Sequence, residues 1–329
     1  LRTDHLTLTI LSGVPPEPDI AAFEKLRAAT QGRPLDAVVA IGGGSVLDVA
    51  KLLAALHGHA ASVQTFFGQG LLPPRRVRLL CLPTTSGAGS EVSPNAILYD
   101  ESDRLKKAII SPQLVPDVAV VDPALTVTLP PATTAATGLD ALVHCIEGYA
   151  NLAAHPMVDP FALEGIRLIS SNLVRAVQHG TDLDARSALA LGSLYGGLCL
   201  GPVNTAAVHA LAYPLGSEFR LAHGLSNALL LTAVLRFNLP AAPARYASIA
   251  RALGVPDGAD DTTTAERGVA RLDALVRACG LPPGLAAVGG TVDDLPRLAG
   301  AALRVTRLLR NNPRPLTASD AESIFRQAL

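Results

Sequence analysis

Charge is scarce in this chain and neither sign prevails: charged residues make up 17% of 329, and 27 Lys+Arg against 28 Asp+Glu leave a net charge of −1. That balance excludes the broad basic footprint selected by nucleic acid or an anionic membrane surface. Lysine is confined to Lys25, Lys51, Lys106 and Lys107. The other basic residues are arginines spread along the chain, which reads as coding bias rather than a binding patch. Cysteine is sparse too. Cys81, Cys145, Cys199 and Cys279 form no CxxC pair, so they supply no disulfide framework and fit a reducing, cytoplasmic setting. No signal peptide is visible, although the chain starts at Leu1 rather than Met. The longest stretch without charge, Ser187 to Ser217, exceeds the ~20 residues of a membrane span. It is interrupted by Gly192, Gly196, Gly197, Gly201, Pro202, Asn204, His209 and Pro214, and so reads as helices buried inside a protein.

What the chain has in quantity is apolar residue, 49%, which excludes disorder; at ~150 residues per domain its length suggests about two domains. Two textures support that division. The first part alternates β-rich runs with helical patterns, which implies a parallel α/β sheet. Leu6–Ile10 alternates with period two and ends at Pro15-Pro16-Glu17-Pro18; Asp19 can cap a helix reaching about Thr30. Asp36–Ile41 is a short continuous apolar run, as a strand buried on both faces should be, and a helix from about Val46 to His57 follows. Val77–Leu82 and Val118–Val121 are further strands, while Ala96–Tyr99 and Lys107–Ile110 flank Asp100-Glu-Ser-Asp103 as an antiparallel hairpin. From about Pro130 the pattern turns helical. The expected domains are therefore 1–129, α/β, and 130–329, all-helical.

Two glycine-rich turns stand at strand ends. Gly42-Gly-Gly-Ser45 lies between a strand and a helix, where backbone N–H groups, a hydroxyl and the helix dipole suit a phosphate. It is neither GxGxxG nor a Walker loop, and a tight turn needing positive φ is the structural alternative. Pro83-Thr-Thr-Ser-Gly-Ala-Gly-Ser-Glu91 brings hydroxyls to a second strand end, where open α/β sheets bind ligands. Two such turns facing one crevice suit a dinucleotide.

A third feature is a set of metal-type ligands. Asp140 and His144 are i and i+4 on one helix, so they point the same way. His209 lies in another helical stretch, and His223 follows 14 residues later. One carboxylate with three imidazoles can hold Fe²⁺ or Zn²⁺. A single Asp-x3-His pair arises readily by chance, but these four lie in nearly charge-free apolar sequence, where a buried polar group needs a partner. His5, His57, His59, His155 and His179 read as surface or turn residues.

Together, Gly42-Gly-Gly-Ser-Val-Leu-Asp48, Pro83–Glu91, Gly138-Leu-Asp-Ala-Leu-Val-His-Cys-Ile-Glu147, and His209-Ala-Leu-Ala-Tyr-Pro-Leu-Gly216 with His223-Gly224 resemble the iron-containing (group III) alcohol dehydrogenases. The resemblance runs to Asn312-Pro-Arg-Pro315. It implies a Rossmann-like N-terminal nicotinamide-dinucleotide domain, a C-terminal all-helical metal domain, an active site between them, and a homodimer. By motif match Asp140, His144, His209 and His223 would hold a divalent metal, Fe²⁺ or Zn²⁺. Gly43, Gly44, Ser45, Asp48, Thr84, Thr85 and Lys107 would line NAD or NADP, and Asn95 would sit near the alcohol or aldehyde substrate. The family carries roughly fifty more residues ahead of Leu1, more than one βαβ unit of ~30, including the usual discriminator between NAD and NADP. Many members have His where this chain has Tyr213, a position associated with proton relay, and Pro where it has Ala222.

The chemistry follows from the residues. Metal coordination lowers the pKa of water from ~15.7 to ~7, and nearly nine units at ~1.36 kcal/mol each is about 12 kcal/mol of alkoxide stabilisation. Hydride then passes to or from the nicotinamide, which the protein orients. Alternatives on the same pattern are a maleylacetate reductase, which lacks the full metal set, a hydroxyacid–oxoacid transhydrogenase, a dehydroquinate-synthase-like lyase, a metal-dependent hydrolase and a non-catalytic paralogue.

Overall fold

Asp19 caps the first helix as its position predicts: in the computed structural model, which describes residues 7–103 and 105–329, its Oδ1 accepts from the Ala22 N–H at 2.6 Å and starts α1 (Ile20–Ala28). Strand β1 (Ala37–Gly42) is followed by α2 (Gly44–Leu56), and β2 (Gly68–Gln69) by β3 (Arg78–Pro83). The hairpin is present as β4 (Asn95–Asp100) and β5 (Leu105–Ile110), antiparallel with Ala96 opposite Ile109. A short β6 (Val118–Ala119) completes the strands.

Two small sheets enclose α2. In one, β1, β3 and β6 run parallel in that order; in the other, β5 lies between β2 and β4. One side of α2 packs Leu47, Ala50 and Ala54 against Ala40, Leu79 and Cys81 of the parallel sheet. Its other side packs Val49, Leu52, Leu53 and Leu56 against Phe23, Ala96, Leu98 and Ile109. A helix apolar on both sides is what such a position requires. The register pairs Gly42 with Pro83, so the two glycine-rich turns leave the sheet side by side.

Two strand expectations need correction. Residues 7–10 form no strand, and Leu6 lies outside the described residues, as does His5. The alternation there meets no partner strand, and Leu8 and Ile10 stay exposed. Strand β1 is not buried on both faces either: Val39 is 57% and Ile41 59% exposed. Among the described residues only α2 covers the sheet, and it covers one face.

The remainder is helical: α3 (Pro131–Tyr149), α4 (Asp159–Gln178), α5 (Leu183–Leu200), α6 (Ala207–Phe219), α7 (His223–Asn238), α8 (Pro243–Ala252), α9 (Asp261–Ala278), α10 (Leu295–Leu303), α11 (Thr306–Leu309) and α12 (Ala318–Gln327). They share one core, running from Leu139 and Ile146 through Ile169, Leu211 and Leu231 to Phe325. Gly192, Gly196 and Gly197 are close-contact points within α5 rather than breaks, whereas Gly201 ends that helix. A Cβ on Gly192 would meet Ile169 Cγ1 at 2.5 Å, and one on Gly197 would meet the Gly89 carbonyl oxygen at 2.6 Å. The second contact presses α5 against the Pro83–Glu91 turn, tying the helical part to the sheet. No helix among the described residues is long and apolar enough to cross a membrane.

Candidate active site

A cavity of about 790 Å³ opens between the sheets and the helices, lined from both sides. On the sheet side α2 begins with no side-chain cap at Gly43, so its first N–H groups are free to face a ligand. None of Gly42, Gly43 and Gly44 has positive φ, which removes the turn-conformation reason for glycine. Close approach is the reason. A Cβ on Gly44 would meet Ala88 Cβ at 2.7 Å, and one on Gly43 would meet Thr85 Cγ2 at 3.3 Å. The two turns thus pack directly on each other.

Gly43, Gly44, Ser45, Asp48, Thr85 and Asn95 line the cavity; Thr84 does not, and its N–H is taken by the Gly42 carbonyl at 2.9 Å. The Ser45 hydroxyl accepts from the Glu17 N–H at 3.1 Å. Asp48 reaches the cavity wall, but its two oxygens accept from Ser90 Oγ at 2.5 Å and Ile97 N at 2.9 Å. Beneath it Lys51, fully buried, donates to the Ser90 and Asn95 carbonyls, both at 2.7 Å, and lies 3.9 Å from Asp48. Burial pushes the Asp48 carboxyl up and the Lys51 ammonium down, each opposed by the other's charge. This pair clasps the second turn and β4 to α2.

Lys107 is misplaced by the sequence reading. It pairs with Asp100 at 2.6 Å and Asp103 at 2.7 Å, away from the cavity. Lys106 lines the cavity instead and pairs with Glu17 at 2.8 Å. Successive strand residues face opposite sides, so a one-position error selects the wrong lysine.

On the helical side α3 supplies Asp140 and His144, α6 supplies His209, and His223 opens α7. Asp140 Oδ1 stands 3.8 Å from His144 Nε2, 3.6 Å from His209 Nε2 and 3.7 Å from His223 Nε2. Asp140, His209 and His223 offer donor atoms all within 4.8 Å of one another. A tetrahedral ion with bonds of ~2.0–2.1 Å has donor–donor edges of about 3.4 Å, so Asp140, His209 and His223 fit a divalent metal once those edges close; His144, 3.8 Å from Asp140, lies outside the three. Three imidazoles facing Asp140 overcome its burial and hold its carboxyl well below the usual range. Burial lowers His144 and His223, which favours the neutral, ligating form. Burial also opposes the His209 imidazolium, but the Glu147 and Asp140 carboxylates outweigh it and raise His209 to about 9.

Three contacts around these side chains were not anticipated. Glu147 Oε2 lies 2.6 Å from His209 Nδ1, and its Oε1 accepts from the Val208 N–H at 2.6 Å. His144 Nδ1 lies 3.2 Å from the Gly87 carbonyl, which links an imidazole to the second glycine turn. Asn227 Nδ2 donates to Asp140 Oδ1 at 2.7 Å, while Asn227 Oδ1 and His223 Nδ1 are buried without partners. The same Nδ2 lies 3.2 Å from His209 Nε2 and 3.4 Å from His223 Nε2, so the Asn227 amide sits among the donor atoms and would have to turn aside for an ion. Sequence spacing held part of this signal: Glu147 is i+3 from His144, and Asn227 is i+4 from His223.

Residues 1–123 match the family described as iron-containing alcohol dehydrogenase, and residues 134–329 match the Fe-containing alcohol dehydrogenase family, C-terminal. The chain belongs to the iron-containing alcohol dehydrogenase family. It is 39% identical over 332 residues to the long-chain-alcohol dehydrogenase 1 of Geobacillus thermodenitrificans (strain NG80-2), covering 100% of this chain and 84% of that protein. A 1,3-propanediol oxidoreductase structure superposes with a TM-score of 0.94 at 34% identity, covering 98% of this chain and 84% of the other. Sulfoacetaldehyde reductase from Bifidobacterium kashiwanohense, in complex with NAD+, superposes with 0.88 at 28% identity, over 97% and 83%. As a family member this chain is a metal-dependent oxidoreductase acting between alcohols and aldehydes.

In this alcohol dehydrogenase Tyr213 follows His209 by one turn of α6 and lines the cavity. Its ring centroid is 5.9 Å from that of His223, and Lys106 Nζ lies 5.8 Å from it. Burial raises the Tyr213 phenol, against a downward pull from nearby Arg307. Asn95 Oδ1, on the sheet side, is buried with no partner.

Proposed function

We propose that the enzyme transfers hydride between C4 of a nicotinamide dinucleotide, NAD(H) rather than NADP(H), and the carbinol carbon of a small alcohol or its aldehyde. The observation that carries this reading is the convergence of Asp140, His144, His209 and His223 on one wall of a cavity whose other wall is the paired glycine turns. The NAD+ complex of the sulfoacetaldehyde reductase supports the choice of cofactor. In this reading residues 1–129 form the dinucleotide domain and 130–329 the metal domain.

A divalent ion, Fe²⁺ by family habit, supplies Lewis acidity toward the substrate oxygen when bound. Asp140 and the three Nε2 atoms would hold it. Glu147 and the Gly87 carbonyl would fix His209 and His144 in the tautomer with Nε2 free to ligate. The N–H groups at Gly44 and Ser45 and the Ser45 hydroxyl would take the pyrophosphate, and Thr85 the adjoining part. Asn95 would offer its unpartnered oxygen to the substrate side, and Tyr213 would wall the cleft between ion and solvent. Cys81, Cys145, Cys199 and Cys279, all buried and unpaired, support a reducing, cytoplasmic setting. A homodimer belongs to the same reading and is tested by sedimentation.

The experiment is a 340 nm assay on metal-stripped and Fe²⁺- or Zn²⁺-reloaded enzyme, with alcohols under NAD and NADP. Activity that returns with metal and favours NAD is expected. Full activity in stripped protein, confirmed by elemental analysis, contradicts it.

A further inference from the structure

The charges lining the cavity can be accounted for almost completely. Glu17 is paired with Lys106. Asp48 is bound by Ser90, Ile97 and the nearby Lys51. Asp140 faces the imidazoles. Arg307, on α11, is the exception: it lines the cavity, half-buried, and among the described residues no carboxylate pairs with it. A half-buried guanidinium beside the Tyr213 hydroxyl, with no carboxylate of its own, keeps N–H donors that an anion entering the cleft can take. Its planar fork matches a carboxylate in two parallel hydrogen bonds.

Its place gives the direction of the ligand. Tyr213 neighbours both His223 and Arg307, so the guanidinium stands within one aromatic side chain of the metal donors. Resting on the alcohol dehydrogenase reading above, we propose that Arg307 is a specificity-determining residue that binds a terminal oxyanion, a carboxylate or sulfonate, at the end of the substrate remote from its hydroxyl or carbonyl. The preferred substrates are then ω-hydroxy acids and their semialdehydes rather than plain alkanols. Leu281 and Pro282, which also line the cavity, provide apolar wall for the intervening methylenes.

The test compares kcat/KM for ω-hydroxycarboxylates of three to six carbons with 1-alkanols of the same length, and with ω-hydroxyalkanesulfonates as a third series. In Arg307→Met the ratio of acid to alkanol should fall about 10- to 160-fold, the loss of a hydrogen-bonded charge. Arg307→Lys should retain much of it, and whichever anion series loses more identifies the oxyanion. A ratio that moves by less than about threefold overturns the inference, as does a loss of NADH affinity with the ratio unchanged, which would put Arg307 on the cofactor. Activity on alkanols without an Arg307-dependent preference refutes only this subsite; inactivity toward every alcohol refutes the dehydrogenase reading itself.

Discussion

Glu147→Gln is nearly isosteric, yet it should loosen the metal site. Glu147 accepts from two donors at once, the Val208 N–H and His209 Nδ1, both at 2.6 Å and both buried. A glutamine amide offers one oxygen and one NH₂. If the NH₂ faces His209, Nδ1 must become the acceptor, the ring proton moves to Nε2, and His209 can no longer donate a lone pair toward the ion. If it faces Val208 instead, a buried N–H is left unpaired, at a cost of about 1–3 kcal/mol. Loss of an orienting partner typically weakens metal affinity ~10–100-fold, which is about 1.4–2.7 kcal/mol at 1.36 kcal/mol per decade. The assay is competition of Fe²⁺ or Zn²⁺ against a chromogenic chelator, with the thermal unfolding of the stripped variant followed separately. Weaker binding is expected, with a metal-free melting curve that shifts little in the first orientation and falls in the second. A metal Kd within about twofold of wild type would refute the orienting role.

Lys51→Met should lower stability by about 3–5 kcal/mol, because it leaves Asp48 and two carbonyl oxygens buried without their cation; an unchanged denaturation midpoint would show that the clasp carries no load. Gly44→Val should weaken NADH binding in calorimetry, since even its Cβ would press on Ala88 at 2.7 Å and part the two turns; unchanged affinity would leave the turn as packing alone. Tyr213→Phe should change turnover by less than about threefold, because burial keeps the phenol protonated near neutrality and its ring serves as wall. A loss of ~10²–10⁴ in kcat with KM held would instead establish a proton relay.

Local patterns carried much of the fold. The Asp19 cap, the hairpin from Asn95 to Ile110 and the two strand-end turns depend on neighbours in sequence, and all are visible there. The Asp140–His144 pair was legible because helical spacing alone puts both on one face. What escaped depends on parity or on another element. Lys106 and Lys107 differ by one residue and face opposite sides of β5. Glu147 shows its meaning only when α6 brings His209 over it, and Asn227 only when α7 crosses α3. The glycines at 42–44 were legible as a site, but their reason, the approach of Ala88 and Thr85, needed the second turn in place. Val39 and Ile41 read as buried because apolar runs do so in parallel sheets, and sequence alone does not say how many layers cover a sheet.

The most direct test of the account is anomalous diffraction from crystals loaded with Fe²⁺ or Zn²⁺ in the presence of NAD, collected across the metal edge. One peak is expected per chain, ~2.0–2.3 Å from Asp140 Oδ1 and from Nε2 of His144, His209 and His223, with the dinucleotide against Gly44 and Ser45. A catalytically competent crystal whose only metal peak lies away from these four residues would contradict it.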